Sequence, residues 1–250
     1  MFKKYLLILL LTFEIQVVNA QFNDDGIPFI KNFTTKDYNA HTQNYAITQD
    51  NRGVFYFANF SGVLEYDGNL WNLITTENGY RVTSLKTDKS GKVFVGGLGE
   101  FGFLQPDKYG MLKYNKLNTT TFASAEDLQE IDNLFYENQS FGEKSFLETK
   151  NILIDDNNTI FFVSEKGIVK FENQKLSVFY KTSSEIVSSQ ILENRIYIFE
   201  ADSGVSKFVE NKQINILLNK NTEDLFSIDF IVKINSDSLF IGSGKSGIFL

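Results

Sequence analysis

The chain has 250 residues, a formal net charge of −7, no cysteine, one histidine, 25 phenylalanines, 11 tyrosines and only two prolines. That charge disfavours binding to nucleic acid or to an anionic membrane surface, since both require a basic patch. Without cysteine there are no disulfides and no thiolate metal sites, so an apolar core must hold the fold; the aromatic-rich, proline-poor balance suits β structure.

Residues 1–20 read as a secretory signal peptide. Lys3 and Lys4 precede an apolar run from Tyr5 to Phe13, and Val18-Asn19-Ala20 offers small residues before a cut ahead of Gln21. Glu14 ends that run well short of the ~20 apolar residues that span a bilayer. Residues 21–250 then carry 22 basic and 30 acidic residues, a net charge of −8, and no second long apolar segment.

Five segments of this remainder repeat one pattern: a polar turn, an apolar β-rich run, a few small or polar residues, then glycine and a second β-rich run. The glycines are Gly62, Gly102, Gly167, Gly204 and Gly247, spaced 40, 65, 37 and 43 residues apart. A period near 40 with several strands per unit predicts an all-β fold of β-propeller blades. Each blade has four antiparallel strands, and about five blades are visible in an incomplete ring. The first blade is expected at 44–48, 54–58, 63–66 and 71–75, with Asp50-Asn51-Arg52-Gly53 as its first turn and Asp67-Gly68 before its outer strand. The second is expected at 82–87, 93–96, 103–105 and 112–117, with the turn repeated as Asp88-Lys89-Ser90-Gly91. An insertion follows at 118–150. There Ser124 to Asp127 resembles a capping box, and Leu128, Ile131, Leu134 and Phe135 fall at helical spacing, predicting one short amphipathic helix. The third blade is expected at 151–154, 160–163, 168–171 and 176–180, the fourth at 188–192, 196–199, 205–208 and 214–218. The fifth, at 230–234, 239–241 and 248–250, lacks an outer strand. Either residues 29–33 supply that strand, or the polypeptide continues into further blades.

In a propeller, the loops between second and third strands share one rim with the loops that lead into the next blade. On that rim the candidate ligand-binding residues are Asn59, Phe60, Tyr80, Arg81, Glu100, Phe101, Glu165 and Asp202. Aromatic faces beside amides and carboxylates suit a neutral polar ligand such as a sugar chain, and the plainer reading is solvated hairpin tips. No catalytic residue, cofactor or metal site is expected. His41 is alone and cannot build a histidine-rich metal site, so it is expected to bond backbone near the start of the first blade. Trp71 is expected to pack between blades. Glu100, Glu165, Glu200 and Asp202 fall at corresponding turns, and carboxylates held ~5–10 Å apart can hydrolyse glycosides. The glycines at 96–99 lack the Lys-Ser/Thr of a phosphate loop.

Residues 26–117 resemble one family. Its marks are Gly26 to Phe33, Tyr38 to Asn44, Gln49 to Asn59, Gly62 to Trp71 and Val95 to Leu104. The segment is similar to the periplasmic sensor region of the two-component-regulator propeller proteins of Bacteroidetes-type bacteria. The resemblance implies a periplasmic, ligand-sensing propeller, with a polysaccharide or oligosaccharide as ligand. It also implies that a triple-tyrosine domain, a membrane helix and an output module lie beyond Leu250, and that the full regulator is a homodimer. The output would be a histidine kinase or a helix-turn-helix module; this segment itself would bind no nucleic acid and attach to no membrane. The alternatives are a secreted propeller enzyme, glycosidase or lyase, and an interaction scaffold.

Overall fold

The computed structural model describes residues 30–117, 129, 131, 136–138, 144–146, 148–218, 230–233, 238–243 and 247–249. Residues 34–250 form one compact unit. Its strands fall into successive antiparallel sheets, each ordered as in the chain. Blade one is β1 (Asn44–Gln49), β2 (Phe55–Asn59), β3 (Gly62–Tyr66) and β4 (Trp71–Ile74). Blade two is β5 (Val82–Thr87), β6 (Val93–Gly97), β7 (Glu100–Pro106) and β8 (Leu112–Lys116). Within the insertion, β9 (Tyr136–Asn138) and β10 (Lys144–Phe146) pair as a hairpin. Blade three is β11 (Asn151–Ile154), β12 (Ile160–Val163), β13 (Gly167–Glu172) and β14 (Lys175–Lys181). Blade four is β15 (Ile186–Leu192), β16 (Arg195–Glu200), β17 (Gly204–Val209) and β18 (Lys212–Leu218). A three-stranded sheet, β19 (Phe230–Lys233), β20 (Leu239–Ser243) and β21 (Gly247–Phe249), makes blade five.

The second strands of blades two, three and four carry apolar runs because a neighbouring blade covers each of their faces. In β6, Val93 and Val95 pack with Tyr56 and Ala58 of blade one, while Phe94 turns to blade three. In β12, Phe162 faces blade two and Phe161 faces blade four. In β16, Ile196 and Ile198 face blade three, while Tyr197 and Phe199 face blade five. Four apolar clusters, one between each pair of consecutive blades, seal the sheets side by side. The propeller expectation holds in these described blades.

Three expectations are corrected. Residues 30–33 form no strand, and Ile30 is exposed, so no outer strand is supplied there. Thr34 begins α1 (Thr35–Tyr38) instead, because the Asp37 carboxylate accepts both the Thr34 N–H (2.6 Å) and its hydroxyl (2.8 Å). Trp71 does not sit between blades. It lies among Tyr38, Phe57 and Tyr66 of its own blade and α1, the Tyr66 ring stacked at 4.4 Å. The insertion contains a hairpin as well as helix. Of the predicted helix, Gln129 and Ile131 are helical and Ile131 is buried between blades two and three; the rest lies outside the described residues.

The first turn of each of blades one, two and three is an aspartate device. Asp50 Oδ1 accepts from the N–H groups of Arg52 (2.9 Å) and Val54 (3.1 Å), and Asp88 Oδ1 from those of Ser90 and Lys92 (both 2.9 Å). Asp155 repeats this with Asn157 and Thr159. Neighbouring turns are laced together: Asn51 Nδ2 donates to Lys89 O (3.2 Å), Asn158 Nδ2 to Asp88 Oδ2 (3.0 Å), and the Asp156 N–H to Asn194 Oδ1 (2.6 Å). These bonds fix the spacing of the blades on this face.

Acid sensitivity follows. Burial pushes the Asp50 carboxyl up, but bonds from Arg52, the Val54 N–H and Tyr56 outweigh it and hold its pKa below the usual carboxylate range. Burial also raises Asp88, and bonds from Ser90, Asn158 and the Lys92 N–H outweigh it in the same direction. A folded-state pKa below the ~3.9 of an unfolded aspartate contributes stability that is complete above that value. It is lost as pH falls through the folded value. Urea unfolding at a series of pH values is therefore expected to show stability dropping below about pH 4. Asp50→Asn/Asp88→Asn should be less stable at pH 7 and drop less on acidification. An equally steep acid limb in the double variant would refute the assignment.

Candidate functional site

The loops that follow each second strand, together with the segments 75–81 and 182–185, make the rim on which the ligand residues were expected. Their lengths decide what is exposed. The connection between β6 and β7 is only Leu98-Gly99, with Gly99 at φ 63°. Glu100 therefore already pairs with Gly97, and Phe101 lies inside the sheet.

Phe101 is consequently a core residue. It is buried with its ring 5.0 Å from Phe162, and it offers no surface to a ligand. Asn59 is also internal. Its Nδ2 donates to His41 O (2.7 Å) and Asn44 Oδ1 (2.8 Å), and its Oδ1 accepts the Ser61 N–H (2.9 Å). Both amide hydrogens thus hold the start of blade one in place. His41 bonds backbone as expected: Nδ1 accepts the Gln43 N–H at 3.1 Å, which leaves the other ring nitrogen as the proton carrier. Phe60 stands at the surface, 42% exposed, with its ring 4.6 Å from that imidazole.

Arg81, Glu100 and Glu165 meet at the junction of blades two and three. Glu100 is 1% exposed. Its Oε1 accepts from Asn78 Nδ2 at 2.8 Å and lies 3.7 Å from Lys116 Nζ, while Oε2 has no partner among the described residues. Arg81 pairs with Glu148, 67 positions away on the exit of the insertion. Thr149 next to it is fully buried. Its N–H donates to Gly97 O (2.9 Å), its hydroxyl to Glu100 O (3.1 Å), and its carbonyl accepts from Thr83 and Ser84 (3.0 and 2.9 Å). Glu165 joins through Lys150, whose Nζ lies 3.0 Å from it and 2.7 Å from Glu185. Burial pulls the Lys150 pKa down, but the two carboxylates outweigh it and raise it. Tyr80 is half-buried, its carbonyl accepting from the Thr76 hydroxyl (3.1 Å).

Blade four carries a separate group. The buried Glu200 accepts from the Tyr180 hydroxyl (3.0 Å) and from Gln213 Nε2 (3.1 Å). Burial, then the Glu200 charge, raise the Tyr180 pKa. Asp202 is exposed, and its N–H donates to Ser184 Oγ at 3.0 Å. The structure thus brings Arg81, Glu100 and Glu165 into one connected region and leaves Phe60 and Asp202 outside it. Asn78, Lys116, Glu148, Lys150 and Glu185 complete that region and were not among the expected ligand residues. Among the described residues no group of three or more histidines and carboxylates is placed to hold a metal, and no helix is long and apolar enough to cross a membrane.

No protein-family model and no curated protein matches the sequence. Solved structures match in fold. The WD40 β-propeller domain of Doa1 superposes at TM-score 0.54 and 11% identity, over 82% of this chain and 63% of that one. Virginiamycin B lyase from Staphylococcus aureus superposes at TM-score 0.52 and 14% identity, over 80% of this chain and 63% of that one. The extracellular domain of the hybrid two-component system BT4673 from B. thetaiotaomicron aligns over 82% of this chain and 37% of that one, at TM-score 0.36 and 10% identity, which carries no argument. The chain spans less than two thirds of the length of each of these three chains. At such identities the likeness is one of fold: the described blades are those of a β-propeller.

Proposed function

We propose that this chain is the ligand-sensing propeller of an exported signalling regulator, and that the rim of blades two and three takes a polar, hydroxyl-rich ligand such as an oligosaccharide. The observation that carries this reading is the alternation of carboxylates with cations and an amide over one connected region: Asn78, Arg81, Lys116, Glu148, Lys150, Glu165 and Glu185. Paired charges of this kind exchange hydrogen bonds with hydroxyls without a net charge on the ligand. The signal-peptide pattern at 1–20 and the family resemblance over 26–117 support export and a regulatory role. In this reading the action is non-covalent: ligand shifts the balance between two arrangements of a homodimeric regulator in proportion to its differential affinity for them.

The enzyme reading has the lyase likeness in fold beside it and needs carboxylates free for proton transfer. Glu148, Glu165 and Glu185 are each held by a cation, which leaves Glu100, with Oε2 unpartnered among the described residues, as the carboxylate that reading would rest on. The test is calorimetric titration of a panel of neutral oligosaccharides into the full chain, with product analysis of each mixture. Saturable binding without turnover is expected, weakened about tenfold or more in Arg81→Ala, about the worth of a hydrogen bond to a charged group. Shortened sugar products would establish the enzyme instead. Absence of saturable binding across the panel would overturn the sensing assignment.

A further inference from the structure

Two glutamates stand buried where the second and third strands meet at the rim, Glu200 ending β16 in blade four and Glu100 opening β7 in blade two. Their carboxylates are served differently. Both oxygens of Glu200 are bonded, Oε1 by the Tyr180 hydroxyl at 3.0 Å and Oε2 by Gln213 Nε2 at 3.1 Å. Glu100 Oε1 accepts from Asn78 Nδ2 at 2.8 Å and lies 3.7 Å from Lys116 Nζ, while Oε2 has no partner among the described residues. A carboxylate oxygen withdrawn from water without a donor is costly, so a folded chain that keeps one calls for a reason.

The adjoining segments have no hydroxyl to spare for it. Thr149 donates its hydroxyl to the Glu100 carbonyl at 3.1 Å, and Thr83 and Ser84 donate theirs to the Thr149 carbonyl at 3.0 and 2.9 Å. Asn78 is different in kind. It is exposed, and it sits on a turn closed on itself, with the Gly79 N–H on Thr76 O and the Thr76 hydroxyl on Tyr80 O, both at 3.1 Å. The side chain that holds the Glu100 carboxylate from the solvent side therefore belongs to a surface turn, outside the strand pairing of blade two. Arg81 lies on the same segment, so Glu100 borders the polar region of the rim.

We propose that Glu100 is a specificity-determining residue of the rim site: its open Oε2 accepts a hydrogen bond from one hydroxyl of the ligand, which reaches it beside Asn78 as the 76–80 turn yields. The assignment deepens the oligosaccharide-sensing reading and rests on it. An ionised carboxylate only accepts, so a ligand position without a hydrogen to donate leaves Oε2 as it stands in the free chain. Lys116 already balances the carboxylate charge, so a neutral hydroxyl completes the group, whereas an ammonium would add a second cation beside Lys116. A site built around a hydroxyl in this way rejects the analogue that lacks it.

The probes are the tightest-binding member of the neutral oligosaccharide panel and its monodeoxy analogues, titrated into the full chain by calorimetry. In the wild type one deoxy position should weaken binding about tenfold to a hundredfold, the range for a hydrogen bond to a charged group. Glu100→Met keeps the side-chain length and removes both oxygens, so it should bind the parent sugar and that analogue equally. Glu100→Gln keeps an acceptor for Asn78 and should retain a preference of only a few-fold, which decides the matter if Glu100→Met does not fold. Asn78→Ala should keep the full preference. A purely structural Glu100 would weaken parent and analogue alike, and an unchanged ratio in the Glu100 variants would overturn this assignment while leaving sensing intact. An aminodeoxy sugar that binds more tightly than its parent would overturn the choice of a hydroxyl. If no member of the panel binds the wild type, the sensing reading fails and this assignment falls with it.

Discussion

Phe162→Ala should remove about 3–5 kcal/mol of stability, the range for truncating a fully buried phenylalanine. Phe162 is 0% exposed, and its ring meets Phe101 at 5.0 Å and Phe94 at 6.3 Å across the junction of blades two and three. Those two rings lie on adjacent strands of blade two, so neither can collapse into the void without breaking its own sheet pairing. Against a total of roughly 5–15 kcal/mol for a domain, the loss is large. Its location makes the form of unfolding informative too. Consecutive blades touch chiefly through one apolar cluster each, so stability is nearly a sum over blades and junctions. Weakening the junction of blades two and three should split urea unfolding into two transitions. Hydrogen exchange should then show β5 to β8 and β11 to β14 losing protection at different denaturant concentrations. A single transition with a loss under about 1 kcal/mol would contradict the packing described here. Phe60→Ala, at an exposed ring, is the control and should change little.

The strands of this junction were legible in the sequence because burial on both faces leaves a signature no other element shares. Val93 to Val95 and Ile160 to Val163 are short, wholly apolar and bounded by turn residues, and they form β6 and β12 within one residue of the expected bounds. Aspartate turns were legible for a related reason, since an Asp whose carboxylate caps backbone N–H groups two and four residues on, followed by Gly or Asn at the left-handed position, is a strong local signal for this bend. What failed was any inference needing a partner from elsewhere in the chain. The Gly-rich stretch before Glu100 read as a loop, yet a two-residue turn suffices, so Glu100 and Phe101 are strand residues. The turns at Asn173-Gln174, Glu193-Asn194 and Glu210-Asn211 put two residues each at positive φ, which side chains such as Gln and Glu do not announce. At the rim, Arg81 was visible as a cation, but Glu148 lies 67 positions on and reaches it only because the insertion returns across blade two. Asn59 shows the converse: its residue type suited a ligand, and its neighbours in space use both amide hydrogens. Residue type therefore indicated which rim is polar, and only the fold showed which polar groups already have partners.

Gly96→Ala should be strongly destabilising, because the added methyl meets side chains that the core holds in place. A Cβ at Gly96 would meet Ser84 Oγ and would stand 2.5 Å from Thr149 Cγ2 and 2.7 Å from its Cβ. Neither neighbour can yield cheaply. Thr149 is held by four hydrogen bonds, through its N–H, its hydroxyl and, twice, its carbonyl, and Ser84 makes one of them. Overpacking a rigid core costs about 1–3 kcal/mol, and each displaced hydrogen bond adds about 1 kcal/mol, so a loss of about 3–5 kcal/mol is expected. Gly68→Ala separates this from backbone strain. Its φ is 99° and nothing lies within 4 Å of the added methyl, so only the conformational penalty of about 1–2 kcal/mol should appear. A double-mutant cycle completes the argument. Thr149→Gly removes the side chain that the methyl would strike, so Gly96→Ala should cost at least about 1 kcal/mol less in that background. Urea unfolding of the four proteins measures the coupling. Additive losses would mean that Thr149 is not what requires glycine at position 96. Because Thr149 stands between Glu148 and Lys150, the same displacement should loosen the Arg81 and Glu165 pairs, and oligosaccharide binding at the rim should weaken together with stability.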